Sequence, residues 1–388
     1  MSEPDHSSPL RRPGRTGRVL TVVTVVLIVA LAGYGIAEYV GSALGEPTLV
    51  IYSYPSLLGG VDCGGSPAFS TVFNGFGSAH HVRVEVVCPS GDLVSTLQAQ
   101  ANAPEADLVI GLDEITTPVA EAHGLLVPYA PPELANISPD LVDELSTGDA
   151  AIPYEYGYLA VDYSSTFYNS TGGAVAQLTF PELANTSDGW AAQLVTEDPT
   201  LDITGQEFLA WEVEYYESVL GENWTPFWTA VHGVLPTPTL SWGVAFSEFN
   251  PNATPDADRM VVSYSTDPAY AKYYNESGAF NSTVSWWNGT AYGWKTIYGI
   301  GIVHGTRHLG LAQQFEQWFL NGTVQALLPT TEWEYPANLT VPAPAQYFDA
   351  SIDPSTIVPL NDRISPSALA AQIPVWTDEW QQIFSSPP

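Results

Sequence analysis

The sequence predicts an α/β protein built from two lobes. Runs typical of short strands alternate with helical patterns, and the alternation restarts after an extended aromatic segment at residues 151–163. With 388 residues, the chain is long enough for two domains of roughly 150 residues each. We therefore expect two α/β lobes joined by two extended crossings, near residues 156–163 and 297–304.

The first lobe is predicted from strands that alternate with helices. Strands are expected at Thr48–Ser53, Val82–Val87 and Ala106–Gly111, with helices between them at Phe69–Gly77 and Asp92–Ala101. This order indicates a parallel sheet in a doubly wound layer. Ligands bind such sheets beyond the carboxyl ends of the strands, in the crevice between lobes.

The second half of the chain shows the same alternation. We predict strands at Ala192–Thr196 and Met260–Tyr264, helices at Glu207–Val219 and His308–Leu320, and a proline-rich loop at 336–366. The pattern assigns residues 48–158 and 300–388 to lobe 1 and residues 159–299 to lobe 2.

An uncharged run from Val19 to Ala37 predicts one membrane-spanning helix, since nineteen helical residues cover roughly 28 Å. Arginines precede the run and acids follow it, so the positive-inside rule places the N-terminus in the cytoplasm. The expected layout is a cytoplasmic tail at 1–18, a single-pass cell-membrane anchor at 19–39 and a tether at 40–47. A cleaved signal peptide is the alternative.

The charge of the chain disfavours nucleic acid as a partner. There are 42 acidic and 10 basic residues, and six basic against 39 acidic residues remain beyond Gly45. Such a field repels phosphate backbones. With 45% hydrophobic and 12% aromatic residues the chain is expected to fold, and its scarcity of lysine suggests hypersaline or strongly acidic surroundings.

Two features predict an extracellular, glycosylated domain. Cys63 and Cys88 are the two cysteines and form a plausible disulfide outside the cell, with two free buried thiols as the alternative. Ten N-x-Ser/Thr sequons also occur. They are at Asn136, Asn169, Asn185, Asn223, Asn252, Asn275, Asn281, Asn288, Asn321 and Asn338.

The sequence predicts no metal, no cofactor and no catalytic residue. His304 and His308 have helical spacing, but no cysteine or carboxylate cluster completes a zinc site around them. No nucleophile elbow, phosphate-binding loop or dinucleotide fingerprint occurs. A carboxylate-dependent extracellular hydrolase remains an alternative, because the acids of the chain supply many pairs.

Aromatic and small polar residues that follow the predicted strands indicate a binding cleft. They include Tyr54, Trp242, the segment Tyr264–Tyr270 and Trp333. Aromatic faces with carboxylates nearby and few basic residues favour a flat cation through stacking and cation–π attraction. For each residue taken alone, packing in the core or at the rim is the alternative.

From about Thr48 to Phe384 the chain resembles the thiamine-binding proteins that feed ABC importers, within the type II periplasmic-binding fold. The motifs that carry the resemblance are YSYPS, ADLVIGLDE, PYEYGYLAVDY, EDPT with TGQEFLAW, SWG, VVSYSTDPAY, LPTTEWEYPANLTVP and VWTDEWQQIF. The resemblance implies a monomeric binding protein, not an enzyme, that captures thiamine and presents it to an ABC permease in the same membrane. Iron or a polyamine are alternative solutes on the same fold.

The resemblance also implies the ligand-binding residues. They are Tyr54, Ser90, Gly91, Asp202, Ile203, Trp242, Tyr264, Ser265, Thr266, Asp267, Tyr270 and Trp333. Asp202 and Ile203 stand where the family's phosphate-side loop carries hydroxyls. Because an ionised aspartate repels phosphate, we predict a preference for thiamine over its phosphates.

Overall fold

The computed structural model describes residues 46–249, 259–276 and 278–387. The predicted tail at 1–18, the anchor at 19–39 and most of the tether at 40–47 lie outside these residues. Among the described residues, no helix is both long enough and apolar enough to cross a membrane.

The described residues form thirteen strands and fourteen α-helices. The strands are β1 (Thr48–Tyr52), β2 (Arg83–Val87), β3 (Leu108–Leu112), β4 (Leu126–Val127), β5 (Ala151–Ser164), β6 (Leu194–Val195), β7 (Met260–Tyr264), β8 (Phe280–Thr283), β9 (Ser285–Trp287), β10 (Thr290–Gly293), β11 (Lys295–Val303), β12 (Tyr335–Pro336) and β13 (Ile357–Pro359). The helices are α1 (Pro67–His80), α2 (Leu93–Ala99), α3 (Thr116–Ala122), α4 (Pro139–Leu145), α5 (Ser165–Ser170), α6 (Phe180–Ala184), α7 (Ile203–Glu214), α8 (Thr225–Val231), α9 (Trp242–Glu248), α10 (Asp267–Tyr273), α11 (Leu309–Leu320), α12 (Gly322–Gln325), α13 (Ala345–Phe348) and α14 (Pro366–Phe384).

The first lobe contains the predicted parallel sheet, in which β1 lies between β2 and β3 and runs parallel to both. Helix α1 buries Phe73 and Phe76 against Phe315 of α11. The prediction ended α1 at Gly77, but the helix continues to His80. Gly77 passes so close to the Val82 carbonyl oxygen that a Cβ would lie 2.7 Å from it, so this glycine serves close packing and does not end the helix.

Two long antiparallel strands cross between the lobes, as predicted. Strand β5 pairs with β11 along most of its length, for example at Tyr156 opposite Ile297. The first residues of β5, such as Ile152, lie in one hydrophobic core, and later ones, such as Val161, lie in a second core. The crossing strands therefore tie both lobes into one sheet with the order β2-β1-β3-β11-β5-β7-β6.

Helix α7 forms the centre of the second lobe and is buried on almost all sides. The prediction began this helix at Glu207, whereas it begins at Ile203 and is followed by a π-helical turn at Tyr215–Leu220. The helix begins earlier because the Asp202 side chain caps it by accepting from the Thr204 N–H.

The C-terminal helix α14 packs on both lobes. Trp376 and Trp380 of this helix lie in the second core, and the helix contacts α7 and α8 of the second lobe as well as α3 of the first. The assignment of residues 300–388 to lobe 1 stays a prediction for this segment.

Cys63 and Cys88 form the predicted disulfide, with Cα atoms 5.8 Å apart. Of the predicted glycan acceptors, Asn338 is buried, with 2% of its surface exposed, and its side-chain amide donates to the Leu320 carbonyl oxygen. This asparagine is therefore not accessible for glycosylation in the folded protein. Asn252 lies outside the described residues. Glycosylation at the remaining sequons stays a prediction.

Candidate functional site

A line of aromatic side chains runs from the first lobe to the second. The rings of Tyr54, after β1, and Tyr298, on β11, have centroids 6.3 Å apart. The hydroxyls of Tyr298 and Tyr264 lie 3.0 Å apart, and the Tyr264 ring is 5.9 Å from that of Trp242. Three of the predicted wall residues, joined by Tyr298, thus lie along one interlobe surface, which we call the aromatic line.

At the first-lobe end, Tyr54 is held by a dense set of polar contacts. Its hydroxyl donates to a Glu332 oxygen at 2.9 Å and lies 3.1 Å from the Tyr154 hydroxyl. The Tyr54 ring covers Gly111, where a Cβ would come within 2.5 Å of the ring. Burial, followed by the charge of Glu332, raises the pKa of Tyr54 well above its usual value. The Tyr54 phenol therefore stays neutral and donates its hydrogen bond to Glu332.

At the second-lobe end, the strand-to-helix segment after β7 positions Tyr264 and Trp242. The indole Nε1 of Trp242 donates to the Ser263 hydroxyl at 2.9 Å. Asp267 accepts from that hydroxyl and from the Tyr264 backbone N–H. Asp267 therefore stabilises the turn and, through Ser263, orients the indole.

Ser265 and Thr266 lie in the same turn, and both are about 1% exposed. The Ser265 hydroxyl neither donates nor accepts a hydrogen bond within the described chain. The segment thus combines a structural carboxylate, Asp267, with a buried hydroxyl that has no protein partner.

Trp333 and Tyr270 meet at the rim of the cleft, with ring centroids 5.5 Å apart in an edge-to-face arrangement. Trp333 has a φ of 62°, which is rare for a bulky residue. This left-handed turn separates Glu332, which contacts Tyr54, from Glu334, whose carboxylate lies against Gly157. The strained residue therefore helps to bring two carboxylates into the cleft.

Asp202 and Ile203 begin helix α7 beside Trp242. The Asp202 carboxylate accepts from the Thr204 N–H at 3.0 Å and from the Trp242 N–H at 3.3 Å. The protein's own negative charge thus occupies the helix N-terminus, where an anion would otherwise bind. Burial raises the pKa of Asp202 above its usual value, and the backbone donors oppose that shift.

Ser90 and Gly91 are placed differently from the other predicted site residues. Both are exposed in the turn before α2, where Asp92 caps the helix by accepting from Ser95 N–H. No hydrogen bond within the described chain joins Ser90 or Gly91 to the aromatic line.

Buried carboxylates surround the aromatic line and were missing from the sequence prediction. Asp113, Glu114, Glu155, Glu207 and Glu334 are each at most 5% exposed, and Glu332 lies beside them. Burial raises the pKa of all six above the usual carboxyl values: to about 6 for Asp113, about 7 for Glu332 and about 8 for Glu114. Tyr298 and Tyr154 were missed as well.

Sequence signals for part of this cluster did exist. Glu207 stands inside the apolar run of TGQEFLAW, where a charged residue must be buried, and Glu332 and Glu334 flank Trp333 in TEWEYP. Among the described residues, the ion pairs of lysine, arginine and histidine all lie elsewhere. No described lysine, arginine or histidine therefore forms an ion pair with the acids around the aromatic line.

The described residues include no group of three or more His, Cys, Asp or Glu arranged to hold a metal ion. A cavity of about 340 Å³ lies apart from the aromatic line, where Pro181, Tyr216 and Phe227 are among its lining residues. The four side chains of the aromatic line are half-buried.

Two α/β lobes joined by paired crossing strands, with a polar and aromatic surface between them, are the arrangement of the periplasmic-binding fold, in which ligands bind between the lobes. In sequence, the chain is similar to the thiamine-binding periplasmic protein of Escherichia coli (strain K12), with 24% identity over 88% of this chain and 94% of that protein. It is also similar to the thiamine-binding periplasmic protein of Brucella suis biovar 1, with 26% identity over 91% and 98% of the two chains. No family model matches the chain. The predicted resemblance to thiamine-binding proteins is confirmed.

Solved structures establish the fold. A periplasmic thiamin-binding protein has a TM-score of 0.69 and 24% identity, covering 88% of this chain and 97% of that one. A periplasmic binding protein from Actinobacillus pleuropneumoniae, with fructose-6-phosphate bound, has a TM-score of 0.67 and 16% identity over 87% and 99% of the chains. A Trichodesmium protein in complex with iron and citrate has a TM-score of 0.64 and 15% identity over the same shares.

The names of these proteins describe the binding of different solutes: thiamine, fructose-6-phosphate, and iron with citrate. The similarity to periplasmic proteins implies a location outside the cytoplasm. The solutes differ among the solved structures, so the fold alone does not identify the ligand.

Proposed function

We propose that this protein captures thiamine outside the cytoplasm and presents it to an ABC importer. The observation that carries the proposal is the aromatic line from Tyr54 to Trp242, lying among buried carboxylates. Thiamine is a flat cation, and a desolvated cation–π contact contributes about 2 kcal/mol. The names of the sequence relatives support the same ligand.

Capture would proceed by hinge motion at the crossing strands β5 and β11. Opening would separate Tyr264 from Tyr298, and the bound ligand would then replace that contact as the lobes close. The predicted anchor at 19–39 would hold the protein in the same membrane as its permease.

We also propose a preference for thiamine over its phosphate esters, because the Asp202 carboxylate occupies the N-terminus of α7. A phosphate placed there would meet a negative charge instead of free N–H donors. The repulsion between two unit charges 4 Å apart is about 1 kcal/mol in water and larger in a closed cleft.

Calorimetry of the purified protein with thiamine and with thiamine diphosphate tests both proposals. We expect thiamine to bind and the diphosphate to bind at least about fivefold more weakly, as 1 kcal/mol implies. Absence of thiamine binding would refute the proposed ligand. Equal or tighter binding of the diphosphate would refute only the preference.

Ferric iron is the second candidate, because the Tyr264 and Tyr298 hydroxyls lie 3.0 Å apart among carboxylates. Proteins of the same fold are solved with iron bound. Iron–phenolate bonds absorb visible light, so a coloured complex after addition of ferric citrate would favour iron. We rank iron second because the described acids and histidines form no metal-binding group.

A further inference from the structure

Glu207 is the carboxylate in the cleft with the fewest partners. It lies on α7, is 0% exposed, and neither of its oxygens accepts a hydrogen bond from any described residue. A buried ionised carboxylate without partners costs several kcal/mol, so such a side chain persists only if it is protonated or meets a donor from outside the protein.

Glu207 lies about one helical turn after Thr204 on α7, and the Thr204 hydroxyl is 3.3 Å from the hydroxyl of Tyr264 in the aromatic line. Its charge is among the causes that raise the pKa of Tyr264 and Tyr298, after burial of each phenol. The titratable groups that face it from the neighbouring elements are all acids or phenols: Asp113, Glu114, Asp202, Tyr264, Tyr298 and Glu334.

Glu334 supplies a second unpartnered oxygen near Glu207, and its charge is among the causes that raise the pKa of Glu207. The Oε2 atom of Glu334 accepts no hydrogen bond from a described residue, and the carboxylate lies so close to Gly157 that a Cβ there would clash. Two acidic side chains with oxygens that lack protein donors thus lie near each other.

We propose that Glu207, assisted by Glu334, accepts hydrogen bonds from the N–H groups of an amino-substituted heteroaromatic ring of the ligand. The inference rests on the proposed function, in which that ring is the aminopyrimidine of thiamine. The exocyclic amino group donates through its N–H bonds, whereas the neighbouring unprotonated ring nitrogen accepts. One carboxyl oxygen of Glu207 can therefore accept from the amino group, and the other, when protonated, can donate to the ring nitrogen. The aromatic line would bind the positively charged ring of thiamine. Glu207 would select for the amino group on its pyrimidine ring.

The test compares thiamine with an analogue in which the 4-amino group of the pyrimidine is replaced by a carbonyl oxygen. Calorimetry is run on the wild-type protein, Glu207→Gln and Glu334→Gln. We expect the wild type to prefer thiamine by at least about tenfold, because the analogue leaves a buried carboxylate unpaired. Glu207→Gln should weaken thiamine binding by about tenfold or more, while the affinity for the analogue should change by less than about threefold. Glu334→Gln should weaken thiamine binding by a smaller factor.

Glu212→Gln is the matched control, because Glu212 is a buried glutamate on the same helix that accepts instead from Trp228 Nε1 at 3.0 Å. Its affinity for both ligands should stay within about twofold of the wild type. Thermal melting checks folding, and Glu207→Gln should melt no lower than the wild type since it removes an unpaired buried acid.

The outcomes separate the two proposals. If the wild type binds thiamine but Glu207→Gln binds it equally well, or loses both ligands to the same degree, the inference about Glu207 is wrong and the proposed function stands. If the wild type binds no thiamine, the proposed function fails and the inference fails with it.

Discussion

Two groups of buried carboxylates around the aromatic line differ in their hydrogen-bond donors. In the first group, Glu332 accepts from the Tyr54 hydroxyl at 2.9 Å. Glu114 accepts from Trp294 Nε1 at 2.7 Å and from the Ile297 N–H at 3.0 Å, which ties the segment before α3 to the crossing strand β11. These acids have protein donors and therefore hold the structure together.

In the second group, both oxygens of Glu207 and one oxygen of Glu334 have no donor within the described chain. Both groups are buried and acidic, so neither burial nor charge distinguishes them. They differ in their hydrogen-bond donors. An acid with protein donors acts in folding, whereas an acid without them is available for a ligand, and the following predictions test this distinction.

The largest expected effect is a loss of stability as the pH rises. Burial raises the pKa of Asp113 to about 6, of Glu332 to about 7 and of Glu114 to about 8, while the unfolded values lie near 4. Protonation therefore favours the folded state, and this contribution is complete below the unfolded pKa and is lost as the pH rises through the folded one. Each pKa unit corresponds to about 1.4 kcal/mol.

Without ligand, the melting temperature should fall by more than about 10 °C between pH 5 and pH 8. Calorimetric melting across this range measures it. Saturating thiamine should reduce the slope, because a bound cation stabilises the ionised carboxylates. A melting temperature that stays constant or rises over this interval would contradict the raised pKa values.

The second prediction contrasts two leucine substitutions. Glu114→Leu leaves the Trp294 and Ile297 donors buried without acceptors, and we expect it to lower the free energy of unfolding by about 2–4 kcal/mol. Glu207→Leu removes no protein hydrogen bond and should leave stability within about 1 kcal/mol of the wild type or increase it. Urea unfolding at pH 7 compares them. If both variants lose a similar free energy of unfolding, the distinction between acids with and without protein donors is wrong.

The third prediction concerns the aromatic line. Trp242→Ala should weaken thiamine binding by about tenfold to thirtyfold, since it removes a stacking surface that contributes up to about 2 kcal/mol. Trp287→Ala is the control, because Trp287 is 39% exposed on strand β9 and is absent from the aromatic line. Titration of the intrinsic fluorescence, or calorimetry where the signal is lost, gives both affinities. If both variants lose thiamine affinity to the same degree, Trp242 does not contribute to the binding site.

Patterns local to one segment predicted much of the fold. The strands β1, β2, β3 and β7 and the two crossings follow from short β-branched runs and their order, because burial imposes such runs on any strand inside a sheet. The packing of Trp376 and Trp380 of α14 in the second core was not predictable in this way, because it depends on which distant surface covers these side chains.

The site was predictable to a smaller extent. Tyr54, Trp242 and Tyr264 could be proposed because aromatic residues follow strands at the ligand-binding edge. The roles of Glu114 and Glu207 could not, since both are single glutamates in an acidic chain and only the tertiary structure shows which has donors. A hydrogen-bond partner distant in sequence leaves no local pattern.

The smallest expected effect concerns the helix cap at the phosphate-side position. Asp202→Asn keeps an oxygen that can accept from the Thr204 N–H but removes the negative charge. Affinity for thiamine diphosphate should rise by about fivefold relative to thiamine, which corresponds to about 1 kcal/mol of lost repulsion. Asp198→Asn is the control, because Asp198 caps the neighbouring turn through the Thr200 N–H and does not begin α7. If both variants leave the ratio of the two affinities unchanged, the charge at the N-terminus of α7 plays no part in discriminating against phosphate, and any preference must come from the acids around Glu207.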